Sequence, residues 1–378
     1  MIPCQRHLFN IPAGVAYLNC AYTSPLLLVA EAAGKEAMQA KAMPWSIIPE
    51  DFFSSLETAR SLFAKLVDCR SDDVAIIPAV SYGVALAAKN TPLQQGQTIL
   101  VLDEQFPSNV YGWRRLANEK KATMRTIPRP ADNDWTLAVL KAMDEKVAVV
   151  AVPNCHWTDG TLLNLSEIGK RCREIGAALV LDCIQSLGAM SFSVQEVQPD
   201  FLIAGAHKWL LGPYSFGFCY IAPKWQDGIP LEENWLNRRG SEDFSRLVEY
   251  EDEYQKGARR FDVGEGSNFI LSPIAAAAIQ QLLDWQVEKI AETLRAKTDI
   301  IAARALELGL DVADARVRAP HMLGLSMPKG LPKQLSARLA QEKVFVSVRG
   351  NSIRIAPHLY NTERDVDRFF EVLKKILA

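Results

Sequence analysis

The sequence lacks an excess of either charge, because 42 lysine and arginine residues stand against 44 aspartate and glutamate residues, a net charge of −2. A surface without surplus positive charge gives nucleic acid and anionic lipid little to bind. Long hydrophobic runs are also missing, since runs such as 147–153 fall well short of the roughly 20 residues that a membrane helix needs. Residues 1–7 contain no apolar signal core. We therefore expect a soluble cytoplasmic protein.

Several short motifs for cofactors and metals are absent as well. The seven cysteines are odd in number, scattered and never spaced CxxC, which predicts neither a zinc site nor a disulfide framework. No glycine-rich loop ends in Gly-Lys-Ser or Gly-Lys-Thr, so a phosphate-loop ATPase is excluded. Residues 264–266 begin a GxG, but no third glycine follows at the required spacing, which disfavours a dinucleotide site. His156 and Asp159 beside Cys155 are too few ligands for a metal, and we expect none.

What the sequence does contain is a repeated alternation of strand-like and helix-like segments. The chain has 378 residues, enough for about two or three domains, with an ordinary globular composition. Apolar, β-branched runs predict strands at 74–80, 98–103, 147–153, 177–182, 201–207 and 216–223, and helical patterns between some of them lie at 82–90, 109–120 and 166–175. This order predicts an α/β fold, a mostly parallel sheet sandwiched by helices. The last strand is expected to be antiparallel, because its approach is too short for a helical crossover.

The pattern changes after a turn-rich junction at 264–268. The following residues predict one long helix at about 273–308, strands near 322–327, 344–348 and 352–356, and a closing helix at 362–377. Strands followed by a helix at a C-terminus indicate a small α+β domain. We therefore predict a large domain of residues 18–264 and a small domain of residues 265–378, which residues 1–17 could join.

Polar residues at the ends of the predicted strands point to a chemistry. Asp182 ends one apolar run, and His207 and Lys208 end the next. Ligands of open parallel sheets bind outside the carboxyl ends of the strands, so these residues should converge. A lysine amine can form a Schiff base with the aldehyde of pyridoxal 5'-phosphate (PLP), and a carboxylate can keep the pyridine nitrogen protonated. Each residue alone has a commoner interpretation, as a helix cap or a solvated surface group, and only the ordered combination indicates PLP.

The ordered combination resembles the class V aminotransferase family of fold-type I PLP enzymes, which includes cysteine desulfurases, kynureninase and isopenicillin N epimerase-like proteins. A strand ending in Asp182, a Gln-Ser pair at 185–186, and a strand ending in His207 and Lys208 before a glycine-containing turn carry the resemblance. Further agreement is found at 17–24, 105–109, 260–264 and 354–361. The resemblance implies a PLP-dependent transferase-like large domain, a smaller C-terminal domain and PLP as cofactor.

The resemblance also implies roles for individual residues around the cofactor. Lys208 would bind PLP as a Schiff base and move the proton, and Asp182 would pair with the pyridine nitrogen. Gln185 would bond the phenolic oxygen, and Phe106 would stack on the ring. Lys208, Asp182 and His207 are thus the expected catalytic residues. The phosphate would be held by His207, Ser81 and Tyr82, of which the last two open a predicted helix and offer backbone N–H groups.

Other implied roles concern the substrate and a partner subunit. Arg354 would bind a substrate carboxylate as a bidentate fork. Members of the family resemble one another in being homodimers with shared active sites, so Ser267 and Asn268 are candidates to reach the partner's phosphate. Relatives often carry an asparagine near the cofactor oxygen, where Trp157 falls here. Trp157 would shape the substrate pocket or pack under the cofactor edge, and Asn154 or His156 would replace the asparagine.

Two further departures from the family pattern bear on activity. The desulfurases need a cysteine shortly before the arginine, but the stretch 346–354 contains none, and no cysteine follows Cys219. Desulfurase activity is therefore disfavoured. Gly205 stands where relatives often have a serine, which removes one phosphate contact.

The expected function is PLP-dependent chemistry on a small amino acid or amine, most simply transamination. A lyase or epimerase reaction is the alternative, because the bond that breaks is set by pocket geometry. A non-catalytic PLP-binding protein is less expected, since a mere binder has no need of Lys208, Asp182 and Arg354 together.

Overall fold

The structure is a computed structural model that describes residues 1–327 and 330–377. The strands are β1 (Ala16–Tyr17), β2 (Val74–Ile77), β3 (Thr98–Leu102), β4 (Thr123–Ile127), β5 (Val147–Pro153), β6 (Ala178–Asp182), β7 (Phe201–Gly205), β8 (Gly217–Ile221), β9 (Asp311–Val312), β10 (Leu323–Ser326), β11 (Val344–Phe345), β12 (Ser347–Arg349) and β13 (Ser352–Ile355). The helices are α1 (Leu28–Lys41), α2 (Ser54–Leu66), α3 (Val80–Asn90), α4 (Tyr111–Lys120), α5 (Trp135–Ala142), α6 (Leu165–Ile175), α7 (Val194–Val197), α8 (Leu271–Trp285), α9 (Val287–Glu307), α10 (Leu335–Gln341) and α11 (Glu363–Leu377).

The main sheet has seven strands in the order β2-β8-β7-β6-β5-β3-β4. All neighbours pair in parallel except β8, which is antiparallel to both β2 and β7. The predicted mostly parallel sheet and its antiparallel strand are therefore confirmed. Edge strand β4 was not predicted, because its mixed residues are largely exposed and give no apolar run.

Successive residues of the central strands enter two different hydrophobic cores. In β3, Ile99 and Val101 belong to one core, while Leu100 and Leu102 belong to the other. Helices α3 and α4 contribute to the first of these cores, and α5, α6 and α8 to the second. Burial on both faces explains why the central strands are apolar at nearly every position.

The single long helix predicted at 273–308 is wrong, because the structure has two helices there. Gln286 separates α8 from α9 with a φ of 65°, a left-handed value that ends the first helix. Helix α8 packs between α1 and α2 on the large sheet's core. Both halves have helical periodicity and no proline separates them, so the sequence pattern concealed the break.

A smaller sheet, in the order β12-β13-β10-β9, forms the second part of the molecule. Its core takes residues from both ends of the chain: Ala16 and Leu18 lie in it beside the C-terminal half of α9 and α11. Strand β1 pairs in parallel with β11, which ties the N-terminal segment to this part. The first half of α9 packs instead on the large core. The boundary near residue 265 stays a prediction.

None of the helices in the described ranges combines the length and the apolar character that a membrane crossing requires.

Candidate functional site

A cavity of about 240 Å³ opens at the carboxyl ends of β6 and β7. Asp182 is the last residue of β6, and Lys208 lies just beyond the end of β7. Ser81, Phe106 and His207 line the same cavity. Five of the residues singled out from the sequence therefore share one space, although they come from four separate parts of the chain. The parallel order of β6 and β7 causes this convergence, because it places both strand ends on one edge of the sheet.

Lys208 is a buried amine whose pKa is lowered. Its side chain is 8% exposed, and burial lowers the pKa of Lys208 to about 8. The positive charges of Arg354 and Arg349 lower this pKa further, whereas Asp182 opposes them. The amine nitrogen lies 5.5 Å from the ring centroid of Phe106. A substantial fraction of the amine is thus neutral near pH 8, as a nucleophile or proton carrier requires.

Asp182 is the carboxyl group at the other side of the cavity. Burial raises the pKa of Asp182 to about 6, and its Oδ1 accepts a hydrogen bond from the Ile184 backbone N–H at 3.2 Å. Buried carboxylates of this kind favour a cationic partner. The protonated nitrogen of a pyridine ring would meet that requirement.

The opposite wall of the cavity has the character of an anion site. Ser81 lies in the first turn of α3, whose N-terminus opens toward the cavity. Burial lowers the pKa of His207 to about 4, so the ring is neutral at pH 7 and would bind an anion by hydrogen bonding. Gly205 also lines the cavity. Tyr82 is not among the lining residues, because its ring packs against the core under α3.

Gln185 lies beside the cavity rather than in its lining. Its Nε2 donates to the Ala21 carbonyl at 3.2 Å, and its Oε1 accepts from the Trp209 indole at 3.1 Å. One amide N–H of Gln185 remains for another acceptor. The predicted bond to a cofactor oxygen therefore stays a prediction.

Arg354, on β13, lies at the junction between the two parts of the molecule. Its side chain is 1% exposed, and Nη1 donates to the Trp157 carbonyl at 2.8 Å. Nε is buried without a partner, and no carboxylate lies within 4.0 Å of the guanidinium among the residues the structure describes. Nε and Nη2 form one edge of the guanidinium, the edge that grips a carboxylate in a bidentate pair. A buried cation without an anion points to a ligand that supplies one.

Trp157 connects the cavity to Arg354. Its ring meets that of Phe106 edge-on, with centroids 5.3 Å apart, and its indole N–H donates to the Glu104 carbonyl at 2.6 Å. The guanidinium carbon of Arg349 lies 5.6 Å from the Trp157 ring centroid. Both interpretations of Trp157, as a wall of the substrate pocket or as packing under the cofactor edge, stay predictions.

His156 is engaged inside the protein. Its Nδ1 contacts Thr158 at 2.7 Å, its Nε2 contacts the Asp103 carbonyl at 3.1 Å, and its ring stacks on Trp135. Both nitrogens are thus used, which leaves none for a cofactor. The neighbouring carboxylate, Asp159, bonds to Arg129 at 2.6 Å.

Ser267 and Asn268 lie away from this cavity. Ser267 is buried, and Asn268 caps the start of α8, where its Oδ1 accepts from the Leu271 backbone N–H at 3.0 Å. Their contact with a partner subunit stays a prediction.

Three residues that the sequence did not single out belong to this region. Tyr214 and Ser215 line the cavity from the β7–β8 connection, and the ring centroid of Tyr214 lies 4.6 Å from that of His207. Arg349 lies on β12, in the hairpin with the strand of Arg354. The connection after a strand that ends in a candidate catalytic residue was a usable signal for the first two. Arg349 gave none, because a lone arginine near a turn is usually solvated.

Comparisons with known proteins agree with this geometry. The family model described as Aminotransferase class-V matches residues 29–369. An uncharacterized aminotransferase, YcbU of Bacillus subtilis, is 27% identical over 87% of this chain and 90% of its own length. The isopenicillin N epimerase of Amycolatopsis lactamdurans is 24% identical over 87% of this chain and 88% of its own length.

Solved structures resemble the fold. A mutant of C-DES with glycine covalently linked to its PLP cofactor superposes with a TM-score of 0.89 at 19% identity, over 98% of this chain and 99% of the other. The apo cysteine desulfurase of Thermococcus onnurineus NA1 gives a TM-score of 0.84 at 19% identity, over 99% and 98%. At these identities the likeness establishes the fold.

Proposed function

This chain belongs to the class V aminotransferase family of PLP enzymes, and we propose that it acts on a small amino acid through Lys208, most simply as a transaminase. One observation carries the proposal. A buried lysine and a buried carboxyl face one cavity, and beyond it lies the buried guanidinium of Arg354, which has no carboxylate partner in the part of the chain that the structure describes. These are the groups needed for an amine-binding cofactor and for an amino acid's carboxylate.

The residues present fit PLP. Lys208 would carry the covalent link and Asp182 would face the pyridine nitrogen. Phe106 would cover the ring, while Ser81 at the N-terminus of α3 and His207 after β7 would hold the phosphate. When bound, PLP supplies an electron sink for bonds at the amino acid's α-carbon.

The protein's own residues have separable tasks in the proposed reaction. Arg354 orients the amino acid by gripping its carboxylate through Nε and Nη2. The Lys208 amine would take the proton from the α-carbon of the amino acid and deliver it to the atom that accepts it. A pKa of about 8 favours both proton transfers, because the amine can gain and lose a proton near neutral pH. Asp182 stabilises positive charge on the cofactor nitrogen. Phe106 and Trp157 form an aromatic wall next to Lys208.

Where Lys208 returns the proton would decide among the reactions. Delivery of the proton away from the substrate carbon would favour transamination and its return to that carbon would favour epimerisation, whereas elimination would depend on loss of a side-chain group from the substrate. The hairpin before Arg354 is short, with only Gly350 and Asn351 between β12 and β13, and it offers no cysteine. Its shortness supports the expectation that the enzyme is not a cysteine desulfurase.

The first test is the visible absorbance of the purified protein before and after borohydride. The wild-type protein should show a cofactor band that borohydride removes, and mass spectrometry should find the reduced cofactor on Lys208. Lys208→Ala should lose the trapped adduct. Lys297→Ala is the matched control, because burial also lowers the pKa of Lys297 but its amine bonds to the Asn361 carbonyl, away from the cavity. A protein that binds no PLP, or traps it equally in Lys208→Ala, would contradict the proposal.

A screen of amino acids then separates the reactions. Keto-acid formation with an acceptor would support transamination, racemisation without keto acid would favour the epimerase, and release of ammonia with a side-chain fragment would favour the lyase. The homodimer with shared active sites and the cytoplasmic location remain predictions, the first of which light scattering tests directly.

A further inference from the structure

Three positively charged groups lie on the substrate side of the site. Lys208, Arg349 and Arg354 contribute positive charge, and the pKa of both Lys208 and Arg354 is lowered in part by their positive neighbours. Asp182 is the acidic residue that lines the cofactor cavity. Positive charges placed this close together favour an anionic ligand between them.

Two carboxylates of the cleft are paired with another arginine. Arg129 bonds to Glu104 at 2.9 Å and to Asp159 at 2.6 Å, so three charged groups form a closed network. Asp159 also accepts hydrogen bonds from the backbone N–H and hydroxyl of Thr161. The network carries one more negative than positive charge, and Asp311 also lines the cleft, but none of these carboxylates lies within 4.0 Å of Arg349 or Arg354 among the described residues.

Arg349 differs from Arg129 in having no carboxylate within 4.0 Å among the described residues. Its one hydrogen bond to the protein, from Nη1, goes to the neighbouring carbonyl of Val348 at 2.9 Å. The guanidinium is half-buried and lies over the ring of Trp157. It also lines a cleft of about 350 Å³ between the two parts of the molecule, beside Arg129 and Ser352.

We propose that the substrate is an amino acid with a second anionic group at the end of its side chain, held by Arg349 while Arg354 holds the α-carboxylate. This inference rests on the proposed function, because it takes the amine to be bound at Lys208. Trp157 fixes the arrangement, since its carbonyl accepts from Arg354 and its ring lies beneath Arg349.

The cofactor's phosphate does not supply the missing anion. Its expected place is at Ser81 and His207, on the side of the cavity formed by the start of α3. Arg349 instead lies over the ring of Trp157, which meets Phe106 edge-on. A carboxylate on the substrate side chain is the simplest group that would pair with this guanidinium.

The test uses dicarboxylates from malonate to adipate and the monoamide of each, titrated calorimetrically into the holoenzyme. None of them carries an amine, so binding is measured without reaction at the cofactor. The best diacid should bind about tenfold more tightly than its monoamide, and Arg349→Gln should abolish that preference while leaving monoamide binding little changed. Arg349→Lys should retain part of the preference, because it keeps the charge without the fork.

Arg338→Gln is the matched control. It removes the same charge from an exposed position on α10. The inference is overturned if no diacid binds better than its monoamide, if Arg349→Gln leaves the preference intact, or if Arg338→Gln abolishes it equally.

A parallel titration separates this inference from the proposed function. Glutamate and aspartate should perturb the cofactor absorbance at lower concentrations than glutamine and asparagine. Diacid binding that depends on Arg349, together with no absorbance change from any amino acid, would contradict the proposed function but not the two-anion pocket. Equal absorbance responses to the acids and to their amides would contradict the two-anion pocket but not the proposed function.

Discussion

Replacing Gly83 by alanine should destabilise this protein, although the same change stabilises most helices. Gly83 lies in α3, the helix whose start lines the cofactor cavity. A Cβ at this position would lie 2.7 Å from Cγ2 and 3.1 Å from Cγ1 of Ile203, and 3.1 Å from Cδ1 of Ile77. The glycine thus allows α3 to pack closely against the end of β7 that leads to Lys208.

Two effects of opposite sign compete. Alanine gains about 1 kcal/mol over glycine from helix propensity. Overpacking a filled core costs about 1–3 kcal/mol. Ile203 cannot yield easily, because it is fully buried in β7 and a β-branched side chain has few rotamers. We therefore expect a net loss of about 1 kcal/mol in the free energy of unfolding, and a few-fold weaker binding of PLP as Ser81 moves with the helix.

The assay is urea unfolding of the apoprotein, followed by titration with PLP. Gly112→Ala is the matched control, since Gly112 lies in α4 and its added Cβ would meet Val84 at 3.5 Å, an ordinary contact. That variant should be neutral or slightly stabilised. In an Ile203→Ala background, Gly83→Ala should become stabilising, because the obstructing Cγ atoms are gone. Stabilisation by Gly83→Ala in the wild-type background would refute the reasoning.

Four further predictions concern the site itself. The rate at which PLP loads onto the apoprotein should rise with pH to a plateau with a midpoint near 8, because the lowered pKa of Lys208 leaves the amine neutral above that pH; a midpoint near 10 would contradict it. Arg349→Gln should raise that midpoint, since it removes a positive charge that lowers the pKa of Lys208, and stopped-flow absorbance measures both. His156→Gln should cost about 1–3 kcal/mol of stability by breaking buried hydrogen bonds, yet leave the absorbance of bound cofactor unchanged; a spectral shift would place the ring at the cofactor after all. Trp157→Phe should weaken amino-acid binding a few-fold, because it keeps a ring but loses the hydrogen bond to the Glu104 carbonyl. Trp157→Ala should weaken binding more, because it also removes the ring. Equal effects of the two variants would show that the ring does not matter.

The order of elements was readable from the sequence because its signals are local. Strands β5, β6 and β7 are apolar at nearly every position, which only a strand buried on both faces tolerates, and their residues were predicted to within two positions at each end. The polar residues that end these strands, Asp182 and Lys208, followed from the rule that ligands bind at the carboxyl edge of a parallel sheet. Local patterns failed where the signal was weak, as in exposed β4 and at Gln286, where two helices meet without a proline.

The family resemblance named Arg354 and Trp157 for the substrate, but only the tertiary structure decided which charges there are paired. Arg354 bonds to a carbonyl almost 200 positions earlier in the chain, and no periodicity encodes that contact. Whether an arginine is paired also depends on packing: Arg129 finds two carboxylates, while Arg349 finds none within reach in the described residues. The sequence determined which elements form and which strand ends carry chemistry, because those depend on neighbouring residues. The fold decided which charges are left for a ligand, because burial and pairing are properties of distant segments brought together.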